Sequence, residues 1–256
     1  MDYEKIIRVV QTTRPFFVDD TREIKVTVKG RSDFVTQVDV AVQEYLRQEL
    51  YRLDPQTILI AEEQKRIYIK PDTSYWILDP IDGTQNFIRH VGLSAVSLAY
   101  YNKKDLQFGV IYNPFTEETF YAVRGQGAFL NGRAIHVTEN EVLEKSLMAI
   151  GTSPYDRQFI PQNWDVFQKV YCRCLDVRRS GSAALDLAYV AAGRYDGYFE
   201  RDLKPWDMAA GIILVQEAGG RVSDYTGKRI QVDCNADICA ANGFINEELL
   251  HIIGEK

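Results

Sequence analysis

Residues 76–87, WILDPIDGTQNF, limit how the chain can fold, because Asp79 and Asp82 stand where a hydrophobic run ends in a proline and a glycine. An isolated buried carboxylate costs several kcal/mol unless it is paired or bound to a metal ion. Glu62 follows another apolar run and Asp207 follows a tryptophan, so both stand in the same kind of position. A hard divalent cation such as Mg²⁺ is the simplest neutraliser, because it prefers oxygen ligands.

A tight turn is the competing interpretation of the aspartate pair. A turn at Asp82-Gly83 explains the glycine and one aspartate, but it leaves Asp79 at a strand end unexplained. Thr84 adds a hydroxyl just past the pair, where a short helix is expected to begin, and free backbone N–H groups at such a start favour a phosphate. Two carboxylates, exposed amides and a hydroxyl this close together suit metal-assisted phosphate chemistry.

Three other acidic positions have structural alternatives of their own. Glu62 with Glu63 also fits a solvated loop after a strand, since glutamate is rarely fully buried. Asp207 is also typical of the acidic first turn of a helix. Thr36 and Asp39 stand in the Ser/Thr-x-x-Asp/Glu relation of a capping box, which on its own makes Asp39 a structural residue.

Other metal and phosphate motifs are excluded. An EF-hand loop that begins at Asp79 requires glycine at its sixth and glutamate at its twelfth position, where Thr84 and His90 stand. The chain contains no P-loop sequence. The stretch GQGAFL at 125–130 lacks the third glycine of a dinucleotide-binding motif and leads into a hairpin signal, Asn131-Gly132.

Size and charge restrict the class of protein. At 256 residues, the chain is expected to form one large domain or two closely packed ones. The net charge of -6 and the lack of a basic block argue against nucleic-acid binding. No apolar run reaches the roughly 20 residues of a membrane span, and no secretion signal is visible, so we expect a cytoplasmic protein without a membrane partner.

Four cysteines, Cys172, Cys174, Cys234 and Cys239, are predicted to be buried or partly buried free thiols. With three scattered histidines they form no pattern typical of a structural zinc site.

The hydrophobic pattern changes character near residue 145. Before it, helices are predicted at 2–17, ended or kinked by Pro15, and at 38–53, with strands at 57–61, 75–78, 93–101, 107–112 and 118–123 and a hairpin at 128–137. After it, strands at 147–151, 196–200, 221–225 and 238–241 alternate with helices at 163–172, 182–192 and 207–218. We therefore expect an N-terminal α+β half, residues 1–145, which carries most of the acidic ligands on a large antiparallel sheet. A C-terminal α/β half, residues 146–256, would complete the metal site and the substrate pocket.

Over nearly its whole length the chain resembles the inositol monophosphatase family of Mg²⁺-dependent phosphatases. Residues 76–87 match the first signature of that family, and PWDMAAG at 205–211 leading to EAGG at 217–220 matches the second. Supporting matches lie at 33–39, 61–63, 125–132 and 181–187. The resemblance implies a layered α/β/α/β/α sandwich of the inositol monophosphatase and fructose-1,6-bisphosphatase type, an α+β or α/β fold with the site between its halves.

The resemblance also implies a metal site with two to three Mg²⁺ ions. Glu62, Asp79 and the Ile81 carbonyl would hold a first ion, and Asp79, Asp82 and Asp207 a second. A third, weaker ion would lie near Glu62 through water.

Phosphate and alcohol would be bound by other matched positions. The Gly83 and Thr84 amides would hold the phosphate, while Thr84, hydrogen-bonded to Asp39, would help to deprotonate a water, with Glu62 as a further catalytic group. That role replaces the capping-box interpretation of Asp39. The alcohol part of the substrate would be contacted by Gly181, Ser182, Ala183, Glu200 and Asp207.

The implied activity is hydrolysis of a small phosphorylated alcohol by a metal-activated water, with myo-inositol 1-phosphate as first choice and no phosphoenzyme. Fructose 1,6-bisphosphate, 3′-phosphoadenosine 5′-phosphate and histidinol phosphate remain open as substrates, as does a mainly non-catalytic role as an interaction protein of the RNA machinery. Family members are commonly homodimers, so a homodimer is expected. Two positions depart from the family pattern. Ala61 replaces a usual glycine, and Arg201-Asp202 follows Glu200 where many members carry less charged residues. Arg201 is hypothesised to bind a second phosphate, and the alternative is an arginine that faces solvent or a dimer partner.

Overall fold

The computed structural model describes residues 1–19, 23–30, 34–63, 73–102 and 105–254. Asp33, the first residue of one matched segment, lies outside these ranges. The helices, numbered in chain order, are α1 (Tyr3–Gln11), α2 (Arg14–Phe17), α3 (Gln37–Leu53), α4 (Thr84–Ile88), α5 (Ile160–Tyr171), α6 (Ala183–Ala191), α7 (Pro205–Glu217) and α8 (Asn246–Gly254). None of the helices in the described ranges is long and apolar enough to cross a membrane.

The strands in the described ranges form three sheets. The first half of the chain supplies β1 (Val26–Val28), β2 (Phe34–Thr36), β3 (Ile58–Ala61), β4 (Tyr75–Asp82), β5 (Ala95–Asn102), β6 (Asp105–Asn113), β7 (Glu118–Val123), β8 (Gly127–Leu130) and β9 (Arg133–Ile135). The second half supplies β10 (Leu147–Ile150), β11 (Asp176–Arg178), β12 (Gly197–Leu203), β13 (Arg221–Ser223) and β14 (Ala236–Ala241).

Pairing within the sheets separates the two halves of the chain. β1 and β2 form an antiparallel ribbon, and β3 to β9 form a seven-stranded sheet in sequence order, in which β3 is parallel to β4 and the other neighbours are antiparallel. The remaining strands form a five-stranded sheet in the order β11-β10-β12-β14-β13. Its β10 is parallel to both neighbours, whereas β14 is antiparallel to both of its own.

Three hydrophobic clusters stack these elements into five layers. One face of the seven-stranded sheet packs against α1 and α3 through residues such as Val42, Leu46 and Trp76. Its other face packs against α6 and α7, which in turn cover the five-stranded sheet. α5 and α8 cover the far face of that second sheet. The predicted α/β/α/β/α sandwich is therefore confirmed.

The middle layer is apolar on all sides because it lies between two sheets. Residues Met208 to Val215 of α7 are all buried. Close approach depends on glycine at two positions: a Cβ on Gly211 would lie 2.4 Å from Leu187 of α6, and one on Gly109 of β6 would lie 2.8 Å from the Ala210 carbonyl. This packing fixes the first residues of α6 and α7 against the end of β4.

Several elements differ from the sequence-based prediction. The first predicted helix is two helices that separate at Thr12 and Thr13, with Pro15 in the first turn of α2, where its missing N–H costs no helical hydrogen bond. β1, β2, β11 and α8 were not predicted. Among the cysteines, Cys172 and Cys234 are exposed, so the prediction of burial is wrong for these two. Asn131 and Gly132 both have positive φ at the predicted hairpin, as a type I′ turn requires.

Candidate active site

Strand β4 carries two of the predicted metal ligands on one side. Residues three apart point to opposite faces of a regular strand. The pairing of β4 with β5 is irregular between Asp79, opposite Ser97, and Asp82, opposite Ala95. The irregularity, which contains Pro80, turns both carboxylates toward the start of α7, and the strand continues to Asp82 instead of ending at residue 78 as predicted.

Asp207 at the start of α7 completes an acidic cluster with these two residues. One carboxylate oxygen each of Asp79, Asp82 and Asp207 lies within 4.8 Å of the other two. Asp79 and Asp82 are buried, with exposed fractions of 2% and 7%, and Asp207 is half-buried. This all-oxygen set at short mutual distances fits a hard divalent cation such as Mg²⁺.

A backbone N–H holds one oxygen of each carboxylate in place. Ile81 N donates to Asp79 Oδ1 at 2.9 Å and Lys204 N donates to Asp207 Oδ2 at 2.8 Å. Asp82 Oδ2 accepts from Ala184 N at 2.9 Å and from the Ser182 hydroxyl, both at the start of α6. These bonds orient the carboxylates, each of which contributes one oxygen to the cluster.

Glu62 lies at the end of β3 in the same cleft but outside the three-aspartate cluster. Its backbone N–H donates to the Leu78 carbonyl at 3.2 Å, which ties it to β4. Neither Glu62 nor Glu63 is freely solvated, since both are half-buried and Glu63 forms an ion pair with Lys29 at 2.5 Å. The solvated-loop alternative is therefore wrong.

The acidic groups raise one another's pKa values. Burial, followed by the charges of Glu62, Asp82 and Asp207, holds the pKa of Asp79 well above its ordinary value. Burial also raises the pKa of Glu62 to about 8 and that of Asp82 to about 6. The pKa of Asp207 is raised well above its usual value by burial and then by Asp82. A bound divalent cation would relieve this repulsion.

Asp39 has contacts that fit both of the interpretations considered for it. Its Oδ2 accepts from Thr36 N at 2.7 Å and from Thr36 Oγ1 at 2.6 Å, which completes the capping box at the start of α3. Its Oδ1 lies 3.4 Å from Thr84 Oγ1, which is also 3.0 Å from the Ile81 carbonyl. Burial raises the pKa of Asp39 to about 6.

Gly83 places the first turn of α4 at the cleft. Its φ of +85° is in the left-handed region, and a Cβ there would lie 2.9 Å from the Leu93 carbonyl, so only glycine fits. Asn86 of the same helix donates to the Leu93 carbonyl at 2.7 Å and to the Ser180 carbonyl at 2.9 Å. The Asn86 side chain thereby joins this turn to the loop that carries Gly181.

The predicted alcohol pocket lies beside the acidic cluster. Gly181, Ser182, Ala183 and Glu200 all line the same cleft of about 180 Å³. Glu200 is 8% exposed and accepts from Ser153 N at 2.8 Å and from the Tyr198 hydroxyl at 2.6 Å. Burial raises its pKa.

The hypothesis that Arg201 binds a second phosphate is wrong. Arg201 does not line the cleft: its Nη1 donates to Asp237 Oδ2 at 2.9 Å and its guanidinium lies over the Tyr225 ring at 4.5 Å. Among the described residues, the arginines that line the cleft are Arg89 and Arg179, neither of which was predicted.

Sequence reasoning also missed Tyr155 and Asp186. Both line the cleft, and Asp186 Oδ1 is buried without a hydrogen-bond partner. Asp186 lies within the matched segment 181–187, of which only the first three residues were predicted to contact the substrate. Tyr155 belongs to no motif, so only the fold reveals its position. Gln85, which had no predicted role, is exposed at the edge of the same cleft.

A five-layered sandwich with an acidic cluster beside a glycine turn defines the class of metal-dependent phosphatase folds predicted above. The model of the inositol monophosphatase family matches residues 3–255, and the chain belongs to this family.

Individual relatives carry two kinds of name. The protein named Nus factor SuhB from Escherichia coli (strain K12) is 43% identical over 204 residues, which cover 80% of this chain and 76% of that protein. The protein named inositol-1-monophosphatase from Rhizobium meliloti (strain 1021) is 36% identical over 234 residues, covering 91% and 88%. The crystal structure of extragenic suppressor protein suhB from Bartonella henselae superposes with a TM-score of 0.92 at 34% identity, covering 99% of this chain and 98% of that one.

Proposed function

We propose that the protein is a Mg²⁺-dependent phosphomonoesterase that hydrolyses a small phosphorylated alcohol, with myo-inositol 1-phosphate as the first candidate. The cluster of Asp79, Asp82 and Asp207 beside the Gly83-Thr84 turn carries this proposal. Carboxylate oxygens for the cation and backbone amides for the phosphate adjoin each other there. The relative named inositol-1-monophosphatase supports the choice of substrate.

Two to three Mg²⁺ ions would be held by the residues of this cleft. The proposed ligands are Glu62, Asp79 and the Ile81 carbonyl for one ion and Asp79, Asp82 and Asp207 for another, with a weaker ion near Glu62. When bound, Mg²⁺ supplies positive charge that stabilises phosphoryl oxygens and favours deprotonation of water.

The chain itself positions the phosphate and the attacking water. The Gly83 and Thr84 amides at the start of α4 bind the phosphate oxygens. Thr84 Oγ1 donates toward Asp39 or the Ile81 carbonyl, so its lone pairs accept a hydrogen bond from water and orient it for attack. Glu62, whose pKa is raised to about 8, is the further catalytic group at the same water.

The alcohol part lies against the loop before α6. Gly181, Ser182 and Ala183 contact it, and Glu200 accepts hydrogen bonds from its hydroxyls. Each Glu200 oxygen already accepts one protein donor, which fixes the carboxylate and leaves further lone pairs for the substrate. Asp207 contacts the alcohol part on the side of the proposed metal ions.

Phosphate release from a panel of substrates tests the proposal. The panel contains myo-inositol 1-phosphate, fructose 1,6-bisphosphate, 3′-phosphoadenosine 5′-phosphate and histidinol phosphate, each with Mg²⁺ or with EDTA. We expect Mg²⁺-dependent release that Asp82→Asn lowers by at least about 100-fold, because this change removes a ligand charge. Asp165→Asn, in an exposed ion pair on α5, is the control and should keep full activity. A phosphorylated protein trapped by rapid quenching would contradict direct attack by water.

A second candidate function is an interaction role with the RNA machinery. The relative named Nus factor SuhB, at 43% identity, favours it. Wild-type protein that releases no phosphate from any substrate in Mg²⁺ would support this role over catalysis.

We also propose that the protein is a cytoplasmic homodimer without nucleic-acid or membrane partners. Within each chain, residues 1–145 and 146–256 would form the N-terminal and C-terminal halves. Sedimentation equilibrium would contradict the dimer if the mass matched a single chain of 29.3 kDa.

A further inference from the structure

Tyr155 lies on the loop between β10 and α5, at the open side of the cleft. Its side chain is 57% exposed, yet the residue lines the cleft together with the metal-binding aspartates. Exposed tyrosines normally need no explanation. A tyrosine that is exposed and also lines a cleft with a buried acidic cluster does need an explanation.

The loop that carries Tyr155 is anchored to the alcohol pocket. Ser153 N donates to Glu200 Oε1 at 2.8 Å, and Ser153 Oγ donates to the Arg201 carbonyl at 2.8 Å. Ser153 has a φ of +47°, a left-handed conformation that a non-glycine residue keeps only where its surroundings fix it. A Cβ on Gly151 would lie 1.9 Å from Glu200 Oε2, so the loop presses directly against that carboxylate. Glu200 therefore anchors the loop that carries Tyr155 beside the alcohol pocket.

Tyr155 lines the cleft together with the carboxylates of Glu62, Asp79, Asp82 and Asp207. A phenol hydroxyl keeps its proton at neutral pH and is therefore a hydrogen-bond donor. Within the described ranges, no hydrogen bond or ring contact engages Tyr155. An acceptor that enters the cleft would therefore meet a free donor.

Apolar residues line the cleft together with Tyr155. They are Ile150, Pro154 and Leu203, and the carboxylates and the turn at Gly83 line the same cleft. An aromatic ring in a cleft that also has apolar residues suits the C–H face of a cyclic polyol, and a phenol hydroxyl suits a phosphoryl oxygen.

We propose that Tyr155 contacts the substrate: its hydroxyl donates a hydrogen bond to a phosphoryl oxygen, and its ring covers the C–H face of the alcohol. This inference rests on the proposed phosphomonoesterase function and narrows the alcohol to a small ring with an apolar face. It makes Tyr155 a residue that determines specificity.

Tyr155→Phe removes the hydroxyl and keeps the ring. We expect kcat/KM for myo-inositol 1-phosphate to fall about tenfold, the effect of one hydrogen bond to a charged group. The inhibition constant of inorganic phosphate in Mg²⁺ should rise by about the same factor, while the unfolding temperature stays unchanged. Tyr155→Ala, which also removes the ring, should further raise KM for the cyclic substrate. Tyr171→Phe on α5, where the tyrosine is equally 57% exposed but lies outside the cleft, is the matched control.

The inference fails if Tyr155→Phe matches the wild type in kcat/KM and in phosphate inhibition, or if it is faster, since the tyrosine would then obstruct the cleft. Wild-type protein without Mg²⁺-dependent activity overturns the proposed function instead. In that case, calorimetric titration of inorganic phosphate in Mg²⁺ still tests Tyr155, because unchanged affinity in Tyr155→Phe excludes the contact.

Discussion

At the scale of single residues, one carboxylate can make a structural hydrogen bond and also lie in the proposed site. Asp39 caps α3 with Oδ2 and faces Thr84 with Oδ1. Asp207 accepts a hydrogen bond from Lys204 N and also contributes an oxygen to the aspartate cluster. The capping box and the proposed catalytic role of Asp39 are therefore not alternatives. A backbone hydrogen bond that fixes one oxygen also fixes the rotamer, so the second oxygen is already oriented for a ligand.

Asp39→Asn separates the two uses of this side chain. The amide oxygen of asparagine still accepts from Thr36 N, so the free energy of unfolding should change by less than about 1 kcal/mol. Loss of the charge facing Thr84 should lower kcat at least about 100-fold. Thr36→Ala should do the reverse, with a loss of about 1 kcal/mol of stability and a small effect on kcat. Urea unfolding and steady-state kinetics measure both, and full activity in Asp39→Asn would exclude the catalytic role.

Tertiary pairing overrides local preference at the element scale. Proline and aspartate are depleted from strands, so the sequence predicts that the strand ends at residue 78. β5 nevertheless pairs with β4 as far as Asp82, because the irregularity at Pro80 removes the need for its missing N–H. The three-residue strand β11 was missed for a different reason, since so short a segment shows no periodicity.

Gly211→Val tests the packing of α6 against α7. A Cβ at this position would lie 2.4 Å from Leu187, and valine adds two further methyl groups. We expect a loss of about 1–3 kcal/mol of stability, as for other overpacked cores, measured by urea unfolding. Activity should fall as well, because α7 carries Asp207. Gly243→Ala, with open space around it, is the control. Unchanged stability of Gly211→Val would show that α6 and α7 can move apart without loss of stability.

At the scale of the whole molecule, the sequence predicts the layers and the residues that converge on the cleft, because signatures and hydrophobic runs are local patterns. It does not predict which unmatched residues complete the cleft: Arg179 and Tyr155 reach it through loops whose course depends on packing of the whole fold. Arg201 was misassigned because carboxylate and phosphate suit a guanidinium equally, and no local pattern places Asp237 beside it.

At the scale of the whole molecule, the clustered carboxylates should also make the stability of the metal-free protein depend on pH. Glu62 has a pKa of about 8 and Asp82 one of about 6 in the folded state, above their ordinary values of 4.5 and 3.8. The folded protein therefore binds more protons than the unfolded chain, and its stability falls as pH rises. In EDTA, this contribution is fully present below about pH 4 and is lost as pH rises through about 6 to 8.

Thermal unfolding in EDTA should therefore show a lower midpoint at pH 8 than at pH 5.5, and Mg²⁺ should raise the midpoint most at pH 8, where the carboxylates are charged. Asp82→Asn should reduce the pH dependence in EDTA and also the stabilisation by Mg²⁺, because the amide can neither titrate nor supply a ligand charge. Asp165→Asn, far from the cleft in an exposed ion pair, should retain both effects. A midpoint in EDTA that rises between pH 5.5 and 8 would show that the carboxylates do not repel one another in the folded protein.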